Sequence, residues 1–430
     1  MAEPMLNTIA ALLRASGADA WELTDVQERG WEFYLIRHRL DQHRVRLVEH
    51  ITVKVYRRSE DGRFLGAASD EIPPTASPAE AEQTIARLLD RAAYVRNPAY
   101  TLNRPEPGEA PAPAEEPDVA AISRDFLGVL GSLPETATED LNSCEIFVSA
   151  IRRRFLNSEG IDVTSVYPSS MAEAVVNARD GGHEIELYRM YRSGACDREG
   201  LLRFLAETMT VGRDKLSARQ TPALGRAKVL LSTDAACEVY NWFIFRMSAG
   251  MQVRKLSDWA EGRPVADRFD GDRVTVEGVT SLPNSSENAA YDEEGARIFP
   301  SVLVRDGVAG KAWGSRQFSQ YLGLERACIY GNFAVSGGTA DTEALRAACD
   351  LEIVEFSDFQ VDPVNGDIAG EIRLAYWHDA DRIVPVSGGS VSGRMGELVR
   401  TMRMTAERRQ YNSMLIPAAT LLDGAVIAGG

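Results

Sequence analysis

Metal-ligating residues are scarce in this 430-residue chain, which has five histidines and five cysteines. The cysteines, Cys144, Cys196, Cys237, Cys328 and Cys349, are odd in number, widely spaced and never in a Cys-x-x-Cys pair. That excludes a disulfide framework and a zinc knuckle. No run approaches the eighteen or so apolar residues of a membrane span, and the start, MAEPMLNTIAALLRASGADAW, with few charges and an early Pro4, is unlike a signal peptide. A soluble, cytoplasmic protein is expected. Basic residues are in deficit, 47 Lys and Arg against 63 Asp and Glu, and the net charge of −16 disfavours nucleic acid, whose binders supply cations to neutralise phosphates. The arginine-rich exceptions, Arg152 to Phe155 and His38 to Arg46, are interleaved with apolar or acidic residues and read as solvated faces. Gly-x-Gly-x-x-Gly, the phosphate-binding loop and the Gly-x-Ser-x-Gly elbow are absent, so nucleotide use and serine catalysis have no support. The Gly-rich turns at Ser336–Gly338 and Ser387–Ser390 read as sites of positive φ.

What is present suggests two domains, because 430 residues exceed one ordinary core. Residues Met5 to Ser16 place Met5, Ile9, Leu12 and Leu13 on one helical face, ended by Gly17. Strand signatures begin at Trp31 and at His43, and the Asp61-Gly62 turn returns the chain into a further strand. Pro73, Pro74 and Ser77-Pro78 then open a helix. The Pro-, Ala- and Glu-rich stretch Arg104–Asp118 reads as an exposed loop within this domain. Strands resume from Ile146, a helix follows near Leu201–Leu216, and the domain boundary falls near Thr221-Pro222. A second domain opens with a strand from Arg226 and a helix capped by Ser232, Thr233 or Asp234, carrying Val239, Trp242, Phe243 and Arg246. Asp292, Glu293 and Glu294 precede Gly295 as a charge run, which at a turn is usually solvated.

The last eighty residues carry the most information. They read as short strands, a Gly- and Ser-rich turn, one helix and a small-residue tail. Three ordered pieces stand out: the Val-Asn-Gly-Asp turn at Val364–Asp367, the Ile-Val-Pro-Val step at Ile383–Val386, and a helix start at Ser390–Leu398. Together they resemble the carboxyl-terminal core of the TldD/PmbA family, and within it the PmbA (TldE) branch. The resemblance implies an α+β fold of two domains. Residues 1–220 would form a curved, mostly antiparallel sheet flanked by helices. Residues 221–430 would form a β-rich, sandwich- or barrel-like antiparallel domain with packed helices. It also implies that the segment around Asp292–Gly295 is a turn joining two strands, followed by a substrate-lining stretch.

In catalytic members of that family the helix equivalent to the one after Asp234 carries His-Glu-x-x-x-His, two histidines that hold a metal and a Glu that polarises its water. Here that helix has no histidine, and no late cysteine follows Cys349. Of the five histidines, His183 and Glu184 form the lone His-Glu pair, in an alternating stretch that reads as strand. His38, His43 and His50 could meet only through a hairpin turn around Leu40–Gln42, and exposed sheet positions are the commoner case. No catalytic residue and no metal ligand is therefore assigned.

The resemblance implies a non-catalytic subunit that pairs with a TldD-type His-Glu-x-x-x-His zinc metallopeptidase, with the zinc on the partner and none on this chain. The heterodimer would cut unfolded proteins or peptide precursors, its extended substrate adding to a sheet edge. Phe359, Gln360, Asp362, Asn365, Asp367, Arg394 and Glu397 are the candidate substrate or partner contacts, with Tyr376 and Trp377 as aromatics suited to an interface or a core. Two other readings stay open: a stand-alone metallopeptidase with an unorthodox histidine site, and a homodimeric peptide-binding scaffold that has lost activity.

Overall fold

The computed structural model describes residues 3–108, 111, 115–133, 136, 138–380 and 382–430. Helix α1 (Glu3–Ala15) buries Leu6, Ile9 and Leu13, and Gly17 ends it at φ 70°, a conformation that costs glycine little. The chain then runs out and back in two long strands, β1 (Ala20–Ile36) and β2 (Arg39–Arg58), before β3 (Leu65–Ile72). The hairpin turns at Arg37 and His38, with Arg37 at φ 55°, and not around Leu40–Gln42, where a turn could have brought His38, His43 and His50 together. The first strand also starts eleven residues before Trp31, the residue where the aromatic signature begins.

Helix α2 (Pro78–Ala92) opens with a capping box: the Glu80 main-chain N–H donates to Ser77 Oγ at 3.3 Å, and Ser77 N–H donates to Glu80 Oε2 at 2.7 Å. Within the Arg104–Asp118 stretch, residues 109, 110 and 112–114 lie outside the described residues, and the rest forms neither helix nor strand. Next come α3 (Val119–Leu130), β4 (Glu139–Asn157), β5 (Asp162–Asp180), β6 (His183–Ser193) and α4 (Arg198–Leu216). The six strands form one antiparallel sheet in the order β3-β2-β1-β4-β5-β6. Helices α1 and α2 pack on Leu23, Ile51, Val53 and Val55. Further along, α3 and α4 pack on Phe33, Ile146, Val148 and Ala174.

The second part contains β7 (Arg219–Gln220), β8 (Gly225–Leu231), α5 (Ala236–Arg246), α6 (Ala249–Val253), β9 (Thr275–Val279), β10 (Ser301–Arg305), β11 (Val308–Ala309), α7 (Arg316–Tyr321), β12 (Asn332–Ser336) and α8 (Thr342–Ala348). It continues through β13 (Leu351–Val361), β14 (Asp367–Asp379), β15 (Arg382–Ser387), β16 (Ser390–Arg394), α9 (Met395–Leu398), β17 (Arg403–Met404), β18 (Arg408–Tyr411), β19 (Met414–Pro417) and β20 (Thr420–Ala428). One sheet runs β11-β10-β9-β12-β19-β18; the other runs β13-β8-β20-β16-β14-β15-β7 and closes because β13 also pairs with β14. The result is an α+β protein, a curled antiparallel sheet with helices followed by a barrel-like region. The largest apolar core lies between the two later sheets around α5, built from residues such as Val229, Tyr240, Phe243, Val276, Val335 and Leu351.

Three local expectations give way to pairing. The small-residue tail is β20, the strand between β8 and β16 that buries Leu421, Leu422 and Ile427. Ser390–Leu398 is strand β16 followed by one helical turn, held by β14 on one side. Helix α5 begins at Ala235 without a side-chain cap, its first turn held by main-chain bonds to the Thr233 and Asp234 carbonyls. Among the described residues no helix is long and apolar enough to cross a membrane.

Candidate functional site

Helix α5 is the helix that the family resemblance equates with a metal-binding one. Its inward face carries Val239, Tyr240, Trp242 and Phe243. Tyr240 is fully buried and shares a 2.5 Å hydrogen bond with Thr420 Oγ1. Trp242 stands edge-on to Phe243 and to Trp259, each with ring centroids 5.0 Å away. Arg246 lies over Trp259 at 4.9 Å, pairs with Asp258 at 2.6 Å, and donates to the Val364 carbonyl at 2.7 Å. The helix is thereby tied to the Val364–Asp367 turn. A side chain on Gly366 would press on Trp242, and φ of 75° disfavours one anyway.

The polar groups of α5 are Cys237, Glu238 and Asn241. Burial pushes the Cys237 thiol up, so the thiolate that a metal or substrate needs is disfavoured. Burial also raises Glu238, whose carboxylate accepts from Asn241 Nδ2 at 3.3 Å. Among the described residues no three His, Cys, Asp or Glu side chains converge as a metal would require. The thiol, carboxylate and amide of α5 do not make up a zinc donor set.

The histidines are scattered. His38 Nδ1 lies 3.1 Å from the Leu130 carbonyl, and His43 stacks on Phe33 at 4.6 Å. His50 pairs with Glu71 at 2.8 Å, and His183 lies 3.3 Å from Asp180. His43 and His50 are seven residues apart on β2, on opposite faces and about 23 Å apart at strand rise. His378 Nε2 approaches Cys349 Sγ at 3.6 Å, which has the composition of a nucleophilic dyad. Burial, however, pushes that thiol up to about 12, leaving it protonated and inert.

The seven contact residues read from the sequence fall at one end of the β13–β14 hairpin, on the adjoining β16 and on α9. Phe359 stacks on Phe356 at 4.6 Å and closes over Gly370. Gln360 donates to Asp358 at 3.0 Å. The Asp362 carboxylate accepts from the Val364 and Asn365 amides, and Asn365 accepts from the Asp367 amide, all at 2.8 Å, so these side chains build the turn. Asp367 and Arg394 pair at 3.0 Å, and with Glu397 and Arg226 they line a shallow groove of about 340 Å³. Tyr376 is engaged internally, donating to Asp214 at 2.6 Å, and Trp377 packs against the main core.

A larger cavity, about 840 Å³, lies where residues 101–107 meet 296–300, Arg316 and 325–327. Its walls hold Arg104, Arg297, Arg316, Arg326, Glu106 and Phe299; Arg326 stacks on Phe299 at 4.0 Å and pairs with Glu106 at 2.8 Å. Of the charge run expected to be solvated, Glu293 is exposed, Glu294 is half-buried and Asp292 is almost fully buried. Asp292 accepts from the Glu294, Ala296 and Ile329 amides at 2.8–2.9 Å, which makes it the organiser of an irregular turn with no regular strand on either side. Burial raises Asp292 to about 6. It raises Glu294 to about 7, although Glu294 accepts the Arg316 amide at 2.6 Å. Alongside, Glu22 accepts from Tyr56 at 2.7 Å and pairs with Lys54 at 3.2 Å. This cavity was not legible in the sequence, because its walls come from segments about two hundred positions apart.

A helix-covered antiparallel sheet joined to a barrel-like region with a buried aromatic helix makes an α+β scaffold. Residues 224–429 match the family described as PmbA/TldA metallopeptidase C-terminal domain, and that region belongs to it. The solved structure of TldE from Thermococcus kodakarensis superposes with a TM-score of 0.75 at 16% identity, covering 98% of this chain and 100% of that one. A protein proposed to modulate DNA gyrase, from Thermotoga maritima, gives 0.76 at 16% identity over 99% and 100% of the two chains. A further proposed gyrase modulator, from Bacteroides thetaiotaomicron, gives 0.77 at 14% identity over 100% and 99%. At these identities the likenesses establish the fold. Among curated proteins none matches the chain in sequence.

Proposed function

We propose that this chain is the non-catalytic, TldE-type subunit of a cytoplasmic heterodimeric protease. Its partner is a TldD-type subunit whose His-Glu-x-x-x-His helix holds the zinc, and together they cut unfolded proteins or peptide precursors. The observation that carries this reading is the make-up of α5: aromatic packing on one face, and on the other a buried thiol, a carboxylate and an amide with no imidazole. The scattered histidines speak against a stand-alone enzyme. The partner would supply the Lewis acid, and this chain a wall of the substrate chamber.

The test is to purify the chain alone and together with a TldD-type subunit from the same source, then measure zinc by mass spectrometry and cleavage of an unfolded polypeptide. A zinc-free, inactive isolated chain and an active one-to-one complex are expected. Near-stoichiometric zinc retained by the isolated chain through dialysis, or cleavage without the partner, would overturn the reading.

A further inference from the structure

Strand β2 of the amino-terminal sheet is an inner strand over part of its length and an edge strand over the rest. Strand β3 pairs with β2 only from Ile51 to Arg58. From Arg39 to His50, twelve residues and about 40 Å of strand, no other strand among the described residues lies on the outer edge of β2. Alternate main-chain N–H and C=O groups along that edge face solvent. Every side chain from Arg39 to Leu47 is exposed, so this stretch is bare on both faces as well.

Such edges are ordinarily blunted by brevity, by a covering loop or by charge. Here the stretch is long, and it carries apolar residues: Leu40 is 53% exposed, Val45 72% and Leu47 76%. Val45 and Leu47 lie on the face that buries Ile51 and Val53 under α1 and α2 farther along the same strand. The helical layer resumes where α3 packs on Phe33 and Leu35, which leaves Val45 and Leu47 in the gap between the two helical covers. The charge of the edge runs against that of the chain: Arg39, Arg44 and Arg46 stand against Asp41 and Glu49, in a molecule of net charge −16. Both cavities described above lie elsewhere, so the feature is an edge for a strand and not a pocket for a small molecule.

We infer that the outer edge of β2 from Arg39 to His50 is the docking site for an extended strand of the partner subunit, one that alternates apolar residues with carboxylates. Main-chain hydrogen bonds would extend the sheet by one strand. The partner's apolar side chains would cover Val45 and Leu47 in the gap between the helices, and its carboxylates would meet Arg39 and Arg44. The assignment rests on the subunit reading above and adds to it the surface and the chemistry of the contact.

The experiment uses the full-length chain and the TldD-type subunit, with two readouts: affinity for the partner of wild type and of the V45K/L47K double variant, and hydrogen exchange of amides 39–50 with and without the partner. Both substitutions are at exposed positions, so circular dichroism of the variant is expected to match wild type. The expected result is slowed exchange along 39–50 in the complex and an affinity lowered about tenfold or more in the variant, as follows from losing burial of two large apolar side chains. A complex that forms with unprotected edge amides and unchanged variant affinity overturns the docking assignment and leaves the subunit reading standing. A wild-type chain that never associates with the partner overturns both. Self-association of the isolated chain through these amides, abolished by V45K/L47K while partner affinity is unchanged, overturns the assignment in favour of a second copy.

Discussion

Helix α5 and the outer edge of β2 differ in where their interactions point. Along α5, Tyr240, Trp242 and Phe243 are turned inward onto Thr420 and Trp259, and even its cation, Arg246, is bound to a carbonyl, a carboxylate and two indole rings. Along β2 from Arg39 to Leu47 the side chains reach solvent on both faces, and among the described residues no strand lies beside the main-chain groups of one edge. Helix α5 is therefore packed for stability, while exposed apolar surface lies in the other half.

The sharpest way to break the contrast is to truncate α5. Trp242→Ala removes a side chain packed against Phe243, Trp259 and Arg246 and is expected to cost about 3–5 kcal/mol. Urea denaturation followed by fluorescence would measure it, and a loss under 1 kcal/mol would show that the helix is not the packed element described here. Next in size is an ion pair between the two parts of the molecule, Arg189 on β6 with Glu355 on β13, at 3.1 Å and nearly buried on both sides. Arg189→Ala leaves a desolvated carboxylate whose pKa burial already raises, and is expected to destabilise by about 3 kcal/mol. Restoring most of that stability by adding Glu355→Gln is the companion result, since the uncompensated charge would then be gone.

The parts of this picture legible in the sequence are those fixed by local chemistry. The helix start at Ser77-Pro78, the Gly17 stop, the Asp61-Gly62 turn and the Val364–Asp367 turn each follow from residues within four positions of one another. What was not legible depends on distant segments. LLDGAVIA looks like a tail because its small residues and Gly424 weaken a strand signal, yet β8 and β16 pair with both its edges and impose the conformation. Asp292 looks like one of a solvated run until the amides of Glu294, Ala296 and Ile329 are seen to converge on it. The candidate contacts fall together around one end of the β13–β14 hairpin, and most are engaged within the chain's own structure: Phe359 on Phe356, Gln360 on Asp358, Asp362 and Asn365 in the turn, and Asp367 with Arg394.

A smaller effect is expected from pH, and it comes from the seam between the two regions. Asp292 and Glu294 have ordinary values of 3.8 and 4.5, and burial raises them to about 6 and about 7 in the folded protein. Asp25 is raised to about 6, first by burial and then by Glu49. A raised carboxyl means that the folded state holds protons that the unfolded state has released, so these groups weaken the fold as pH rises from about 4 and do so fully above about 7. Thermal unfolding is expected at least about 2 °C higher at pH 5.5 than at pH 8, and Glu294→Gln should flatten part of that difference. A melting temperature that rises from pH 5.5 to pH 8 would mean that carboxylates stabilised by ionisation outweigh this seam.

The smallest expected effect is on the stability of the exposed edge itself. Val45 and Leu47 contribute little burial in the isolated chain, so V45K/L47K should shift its unfolding free energy by less than about 0.5 kcal/mol. Set against Trp242→Ala, that near-zero value is informative: two large apolar residues that the fold does not need, next to an unpaired edge, call for an explanation outside the fold. A loss above about 1.5 kcal/mol in urea denaturation of the isolated chain would mean that these residues already pack within it. The contrast with α5 would then disappear, because both regions would be serving stability.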